Sequence, residues 1–257
     1  MRYILLLVML CNLVGYASAQ VTKIDTVNYL DPIIPKKKNY NFNTDYWYTI
    51  AIRAYSYEQF PQILNEPYGQ AFHTSYLNGI LFKINDNQIG YRLQAAYFNQ
   101  DVSFTNECEG CATGKGKLQN TAVKVGIEKS INYTRFQPYF GADIGFMVQQ
   151  FDGHTYHAIT TDSITARTQD NKNALLISPL VGFKLYLTPR VALSAEANFN
   201  IAYTYQKSNL YAPLPKDEGE KQTYSTIPDQ TKRYRFEYFF APVAAITLQY
   251  NFSLVNQ

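Results

Sequence analysis

Eight stretches of this chain alternate apolar and polar residues, and the gaps between them alternate long and short. The seventh stretch shows the pattern most clearly. Val191, Leu193, Ala195, Ala197, Phe199, Ile201, Tyr203 and Tyr205 fall on one face, and Ala192, Ser194, Glu196, Asn198, Asn200, Ala202 and Thr204 on the other. Side chains of a β-strand have a period of two, so each stretch predicts a strand with one apolar and one polar face.

The strands are expected at about 45–57, 76–84, 89–102, 117–129, 136–151, 174–187, 191–205 and 233–252. Three connections are tight: Asn85-Asp86-Asn87-Gln88, Asn132-Tyr133-Thr134 and Thr188-Pro189-Arg190. These residue types tolerate turn geometry, including left-handed backbone. The other connections, about 58–75, 103–116, 152–173 and 206–232, are long. Short turns on one side and long loops on the other are the habit of transmembrane β-barrels. The fold class expected is therefore all-β: an eight-stranded antiparallel up-and-down transmembrane barrel over 45–252. Pro138 and Pro179 are expected near strand ends or bulges, since proline cannot donate to a ladder; Pro242 fits neither position.

The first 19 residues read as a secretory signal, with Arg2, an apolar core and Ala17-Ser18-Ala19 before the cut. Residues 20–44, with Pro32, Pro35 and Lys36-Lys37-Lys38, read as a periplasmic leader, and 253–257 as a short tail. After the signal no segment has the roughly 18 uninterrupted apolar residues of a spanning helix. Tyr alone contributes 23 residues, which suits the aromatic girdles of a barrel. The net charge of +3 is too small, and its basic residues too scattered, for nucleic acid.

A soluble barrel of the lipocalin kind places its apolar face inward. Here the polar faces are poor in charge for a solvated exterior, and their charges have both signs: Arg53, Lys83, Arg92, Lys124, Glu128, Asp143, Lys184, Glu196, Arg235 and Glu237. These ten are expected to form an ion-pair network in a narrow lumen, with Lys184 and Glu196 facing each other across the turn at Arg190. Eight strands enclose a space only wide enough for side chains. A filled lumen is therefore the expectation, and an ion pore through Arg53, Arg92, Lys184, Glu196 and Arg235 the alternative.

Other residues carry weaker chemistry. Cys108 and Cys111 in a loop facing an oxidising exterior are expected to form a disulfide, with free thiols or a metal site shared with His154 and His157 as the alternatives. His73 and Ser75, with Glu58 or Glu66, nominally resemble the triad of a lipid-modifying enzyme. An ordinary polar loop edge explains them as well. Tyr211, Tyr224 and Tyr234 amid mixed charges suit contact with a sugar or protein. No cofactor fingerprint is present, and neither a cofactor nor a metal is expected.

With its strands and loops in this order, the chain resembles small eight-stranded outer-membrane barrels of the OmpA/OmpX type. The run Pro179-Leu180-Val181-Gly182-Phe183-Lys184-Leu185-Tyr186-Leu187-Thr188-Pro189-Arg190 is similar to a strand-turn-strand segment common in outer-membrane β-barrel domains. The ending Tyr250-Asn251-Phe252 resembles the aromatic signal read by the barrel assembly machinery, although five residues follow it. The resemblance implies a bacterial outer-membrane address. It also implies contact with membrane lipid and with that machinery, and room for an extracellular or periplasmic protein partner. It implies little about function, because such barrels include passive anchors, adhesins, small pores and a few enzymes; the expected role is structural or surface-interacting, without catalysis.

Overall fold

The computed structural model describes residues 46–63, 71–104, 112–157, 164–214 and 223–253. The expected signal, the leader and the Cys108–Cys111 pair lie outside these residues. The strands are β1 (Tyr48–Gln59), β2 (Phe72–Asp86), β3 (Ile89–Phe104), β4 (Ala112–Ser130), β5 (Phe136–His157), β6 (Ile164–Tyr186), β7 (Val191–Tyr211) and β8 (Asp229–Phe252). Each pairs antiparallel with the next, and β8 pairs with β1, so the ring closes in sequence order.

The short turns fall where the turn residues stand. Asp86 pairs with Ile89, leaving a two-residue loop in which Asn87 takes φ 52°. The amide and hydroxyl of Thr134 donate to Asn132 Oδ1, and the amide of Val191 donates to Thr188. At the opposite end the strands outrun the alternation. β2 begins at Phe72 rather than 76, β4 at Ala112 rather than 117, and β6 at Ile164 rather than 174. Likewise β5 runs on to His157 and β7 to Tyr211, while β8 starts at Asp229. In the β6 extension from Arg167 to Lys172 both faces are polar. Arg167, Gln169 and Asn171 of β6 alternate with the buried Thr168, Asp170 and Lys172. The period-two contrast vanishes while the backbone ladder continues.

Pro242 sits in a bulge. Glu196 pairs with Ala245 and Asn198 with Ala241, so Ala197 of β7 faces three residues of β8, Pro242 to Ala244. No ladder bond is required of Pro242 there. The bulge also reverses one side chain. The alternation assigns Ala244 to the apolar face with Phe240 and Leu248, but both Ala244 and Ala245 are buried. Pro179 lies mid-strand, where the β6–β7 pairing skips from Ile177 to Leu180.

The two faces of the ring are inverted relative to a soluble protein. Ile52, Phe82, Leu93, Val125, Ile144, Ile177, Phe199 and Leu248 point outward and are exposed. The inward face buries Lys83, Arg92, Glu128, Asp143, Lys172, Lys184 and Glu196. Toward the long-loop end the interior becomes apolar. There Phe60, Ile63, Phe98, Val102, Leu118 and Phe151 form one cluster, and Met147, Ala174, Leu176, Ala202 and Phe239 another.

Candidate functional site: the charged interior

Two side chains organise the charges at the short-turn half of the interior. Glu128 on β4 receives Lys83 from β2 at 2.9 Å, Lys184 from β6 at 2.6 Å and Arg92 from β3 at 3.2 Å. Arg92 in turn meets Glu128, Asp143 on β5 at 3.2 Å and Glu196 on β7 at 3.0 Å. Thus one carboxylate holds three cations and one guanidinium holds three carboxylates. All of these groups are at least nine-tenths buried. Burying a charge costs several kcal/mol, roughly, unless attraction and hydrogen bonds offset it; the pairing supplies both for Glu128 and Glu196, while Asp143 gains the attraction of Arg92 without a hydrogen bond.

In a closed ring of eight, β3 and β7 are opposite walls. The Arg92–Glu196 contact therefore spans the interior. Tyr139 on β5 supports it by donating to Glu196 Oε2 at 3.1 Å, and its ring lies 4.9 Å below Lys184 Nζ. Glycines leave room for this layer. A β-carbon on Gly126 would collide with Asp143, and one on Gly182 with the Tyr139 ring.

The expected Lys184–Glu196 pair does not form. Lys184 is opposite Ser194, and Glu196 is opposite Gly182. The tight turn sets a register that offsets them by one rung on the same face, and each finds a nearer counter-charge across the interior. Among the remaining expected members, Arg53 lies 3.4 Å from Glu58 and also donates to the carbonyl of Ala244. Lys124 donates to Asn200 Oδ1 at 2.9 Å and Ser178 Oγ at 3.1 Å. Arg235 and Glu237 pair at 2.8 Å.

Glu237 belongs to a second assembly that the alternation does not reveal. Lys172 lies 2.7 Å from Glu237 and donates to the carbonyl of Gln62. The amide of Gln62 donates to Glu237, and Gln149 donates to the carbonyl of Pro61. The segment Phe60 to Ile63 thus leaves β1 and turns into the interior, where Phe60 and Ile63 join the apolar cluster. Lys172 and this segment fall in expected loops. Two apolar residues flanking Pro61-Gln62 in a loop are the one sequence signal for such an insertion.

The weaker candidates are placed as follows. Ser75 Oγ shares a hydrogen bond with Ser56 Oγ, while the His73 ring packs against Phe60 and Phe98. Glu58 bonds Ser56 and Arg53, and Glu66 lies outside the described residues. His154 stacks on Tyr224, whose hydroxyl lies 3.3 Å from His154 Nδ1. Among the described residues no group of three or more His, Cys, Asp or Glu is placed to hold a metal.

Compared with known proteins, the chain matches no family model, no curated protein and no solved structure.

Proposed function

We propose that this chain is a non-catalytic barrel of a bacterial outer membrane, sealed along its lumen, with its long-loop end available for surface contact. One observation carries this reading: the exposed face is apolar and aromatic while the buried face is charged. Water favours the opposite arrangement, and lipid favours this one. The apolar belt on β6 runs from Leu175 through Ile177, Val181 and Phe183 to Leu185. That length agrees with the roughly 9–11 residues with which a tilted strand crosses hydrocarbon. Beyond the belt the outward residues become Asn171, Gln169 and Arg167, as expected where a wall leaves the membrane. Lipid would contact the belt, and the assembly machinery the Tyr250-Asn251-Phe252 end.

The second reading is a small ion pore, and the two-signed lining favours it. The Arg92–Glu196 contact between opposite walls and the apolar cluster above it favour the sealed form. Membrane fractionation with heat-modifiable gel migration tests the barrel reading, and recovery as a soluble periplasmic monomer overturns it. Planar-bilayer recording separates the two roles: a silent bilayer is expected, and reproducible single-channel steps would establish the pore instead.

A further inference from the structure

One rung of the outward face carries two like charges side by side. In the β7–β8 ladder Lys207 stands directly opposite Lys232. They share the parity of Tyr203, Tyr205, Tyr234 and Phe236, and so face outward. Side chains directly opposite start about 5 Å apart, and like charges there oppose the fold. The neighbouring outward residues, Asn171 and Asn173 of β6, Asn209 of β7 and Gln230 of β8, are neutral. Asp229, the nearest acid along β8, has the opposite parity. Asp170 is buried and accepts from Gln206 and Ser208, while Glu237 holds Lys172 and Arg235. Among the described residues neither Lys207 nor Lys232 has an ion pair. Elsewhere on the rim the ladder compensates its cations. Lys117 of β4 stands on one rung between Asp101 of β3 and Asp152 of β5, and Arg167 pairs with Asp152.

The height of the lysine rung narrows what could neutralise it. Leu175, at the end of the β6 belt, is level with Tyr203 and Phe236, whose ring centroids are 5.0 Å apart. One rung further out stand Tyr205 and Tyr234, at 4.8 Å. Lys207 and Lys232 occupy the next rung, about 7 Å beyond the tyrosines along the strands. Aromatic rings sit at the head-group level of a bilayer, and a lysine just outside them reaches the head groups themselves. Two adjacent ammonium groups match a phosphate monoester, which carries about −1.5 to −2 near neutral pH. A phosphodiester, with a single charge, leaves one lysine uncompensated.

We propose that Lys207 and Lys232 seat the phosphate monoester of a membrane lipid, with its chains lying along Tyr205, Tyr234, Tyr203 and Phe236. The inference rests on the membrane reading, because only a bilayer brings such a lipid to this face. The test places the full chain in phosphatidylcholine nanodiscs with a rising fraction of phosphatidic acid. The protein is then released into neutral detergent, and the lipid it retains is counted by native mass spectrometry. One phosphatidic acid per barrel is expected, retained in preference to phosphatidylcholine and to phosphatidylglycerol, a diester. Lys207→Gln and Lys232→Gln each weaken retention about fivefold. Lys232→Arg keeps the charge and the retention, and Lys129→Gln, at the short-turn end of the outward face, changes nothing. Equal retention of phosphatidic acid and phosphatidylcholine overturns the proposal, since the two lysines are then merely solvated. Equal retention of phosphatidylglycerol, or unchanged retention in both glutamine variants, overturns it too. Heat-modifiable migration of each preparation reports the barrel separately, so a failed membrane reading is distinguished from a failed lipid seat.

Discussion

Replacing Glu128 by Gln tests whether the charged interior is dry. The substitution keeps the shape and removes the charge shared by Lys83, Lys184 and Arg92. Arg92 retains Asp143 and Glu196. Lys83 and Lys184 retain only neutral oxygens of Gln249 and Ser130 among the described polar contacts. Breaking a buried pair by removing one partner costs about 3–5 kcal/mol. With an m-value near ~3 kcal/mol per molar, that moves a urea midpoint down by roughly 1–2 M. The control is Asp152→Asn, which removes the exposed pair with Arg167 and is expected to cost at most about 1 kcal/mol. Urea unfolding of both variants in the same lipid, read from the fluorescence of the single Trp, gives the comparison. Adding Lys184→Met to Glu128→Gln is expected to recover part of the loss, because it removes an uncompensated cation. Equal small costs for Glu128→Gln and Asp152→Asn would refute the reasoning: the interior would then be hydrated, and the network would screen like a surface.

Three further outcomes are expected. Ile144→Arg, mid-belt on β5, destabilises by about 2–4 kcal/mol if lipid covers that face, whereas a water-facing site tolerates it within about ±0.5 kcal/mol; reversible unfolding in lipid decides. Phe151→Ala empties part of the upper apolar cluster and costs about 3–5 kcal/mol, and a cost well under that in the same assay would mean that the inserted Phe60–Ile63 segment is not packed against it. Leu77 on β2 takes φ 48°, a left-handed backbone. Leu77→Gly relieves it and stabilises by about 1 kcal/mol, while Leu77→Ala, which keeps the β-carbon, does not; equal effects would mean that no strain is held there.

The wall of the fold was legible where one face is apolar and the other polar. The strands of the belt and all three tight turns follow from alternation and from residues such as Asn87 and Pro189. Ladder that continues past the belt was not legible, because Asp170 inside and Gln169 outside carry no contrast. The charged inward side chains of the expected strands could be named from parity, but Lys172 and Asp170, which fall in an expected loop, could not. The partners of the former could not be named either, because a partner lies across the interior rather than along the chain. Arg92 meets Glu196, 104 residues away, and no local spacing encodes that distance. The inserted segment escaped for a related reason. Its anchors, Lys172, Gln149 and Glu237, come from three strands, and only ring closure assembles them.

The Arg92–Glu196 contact also has a meaning in time. Its two ends stand on opposite walls, so it cannot form while the sheet is still open. Until the first and last strands meet, Glu196 is without this cation and needs water or a temporary counter-ion, while Arg92 can already pair with Glu128 on the neighbouring strand. Once they meet, the contact dries and ties the two halves of the cylinder together. A bond made only after closure opposes opening far more than it assists closing. Weakening it is therefore expected to shorten the lifetime of the finished barrel while leaving its rate of assembly nearly unchanged.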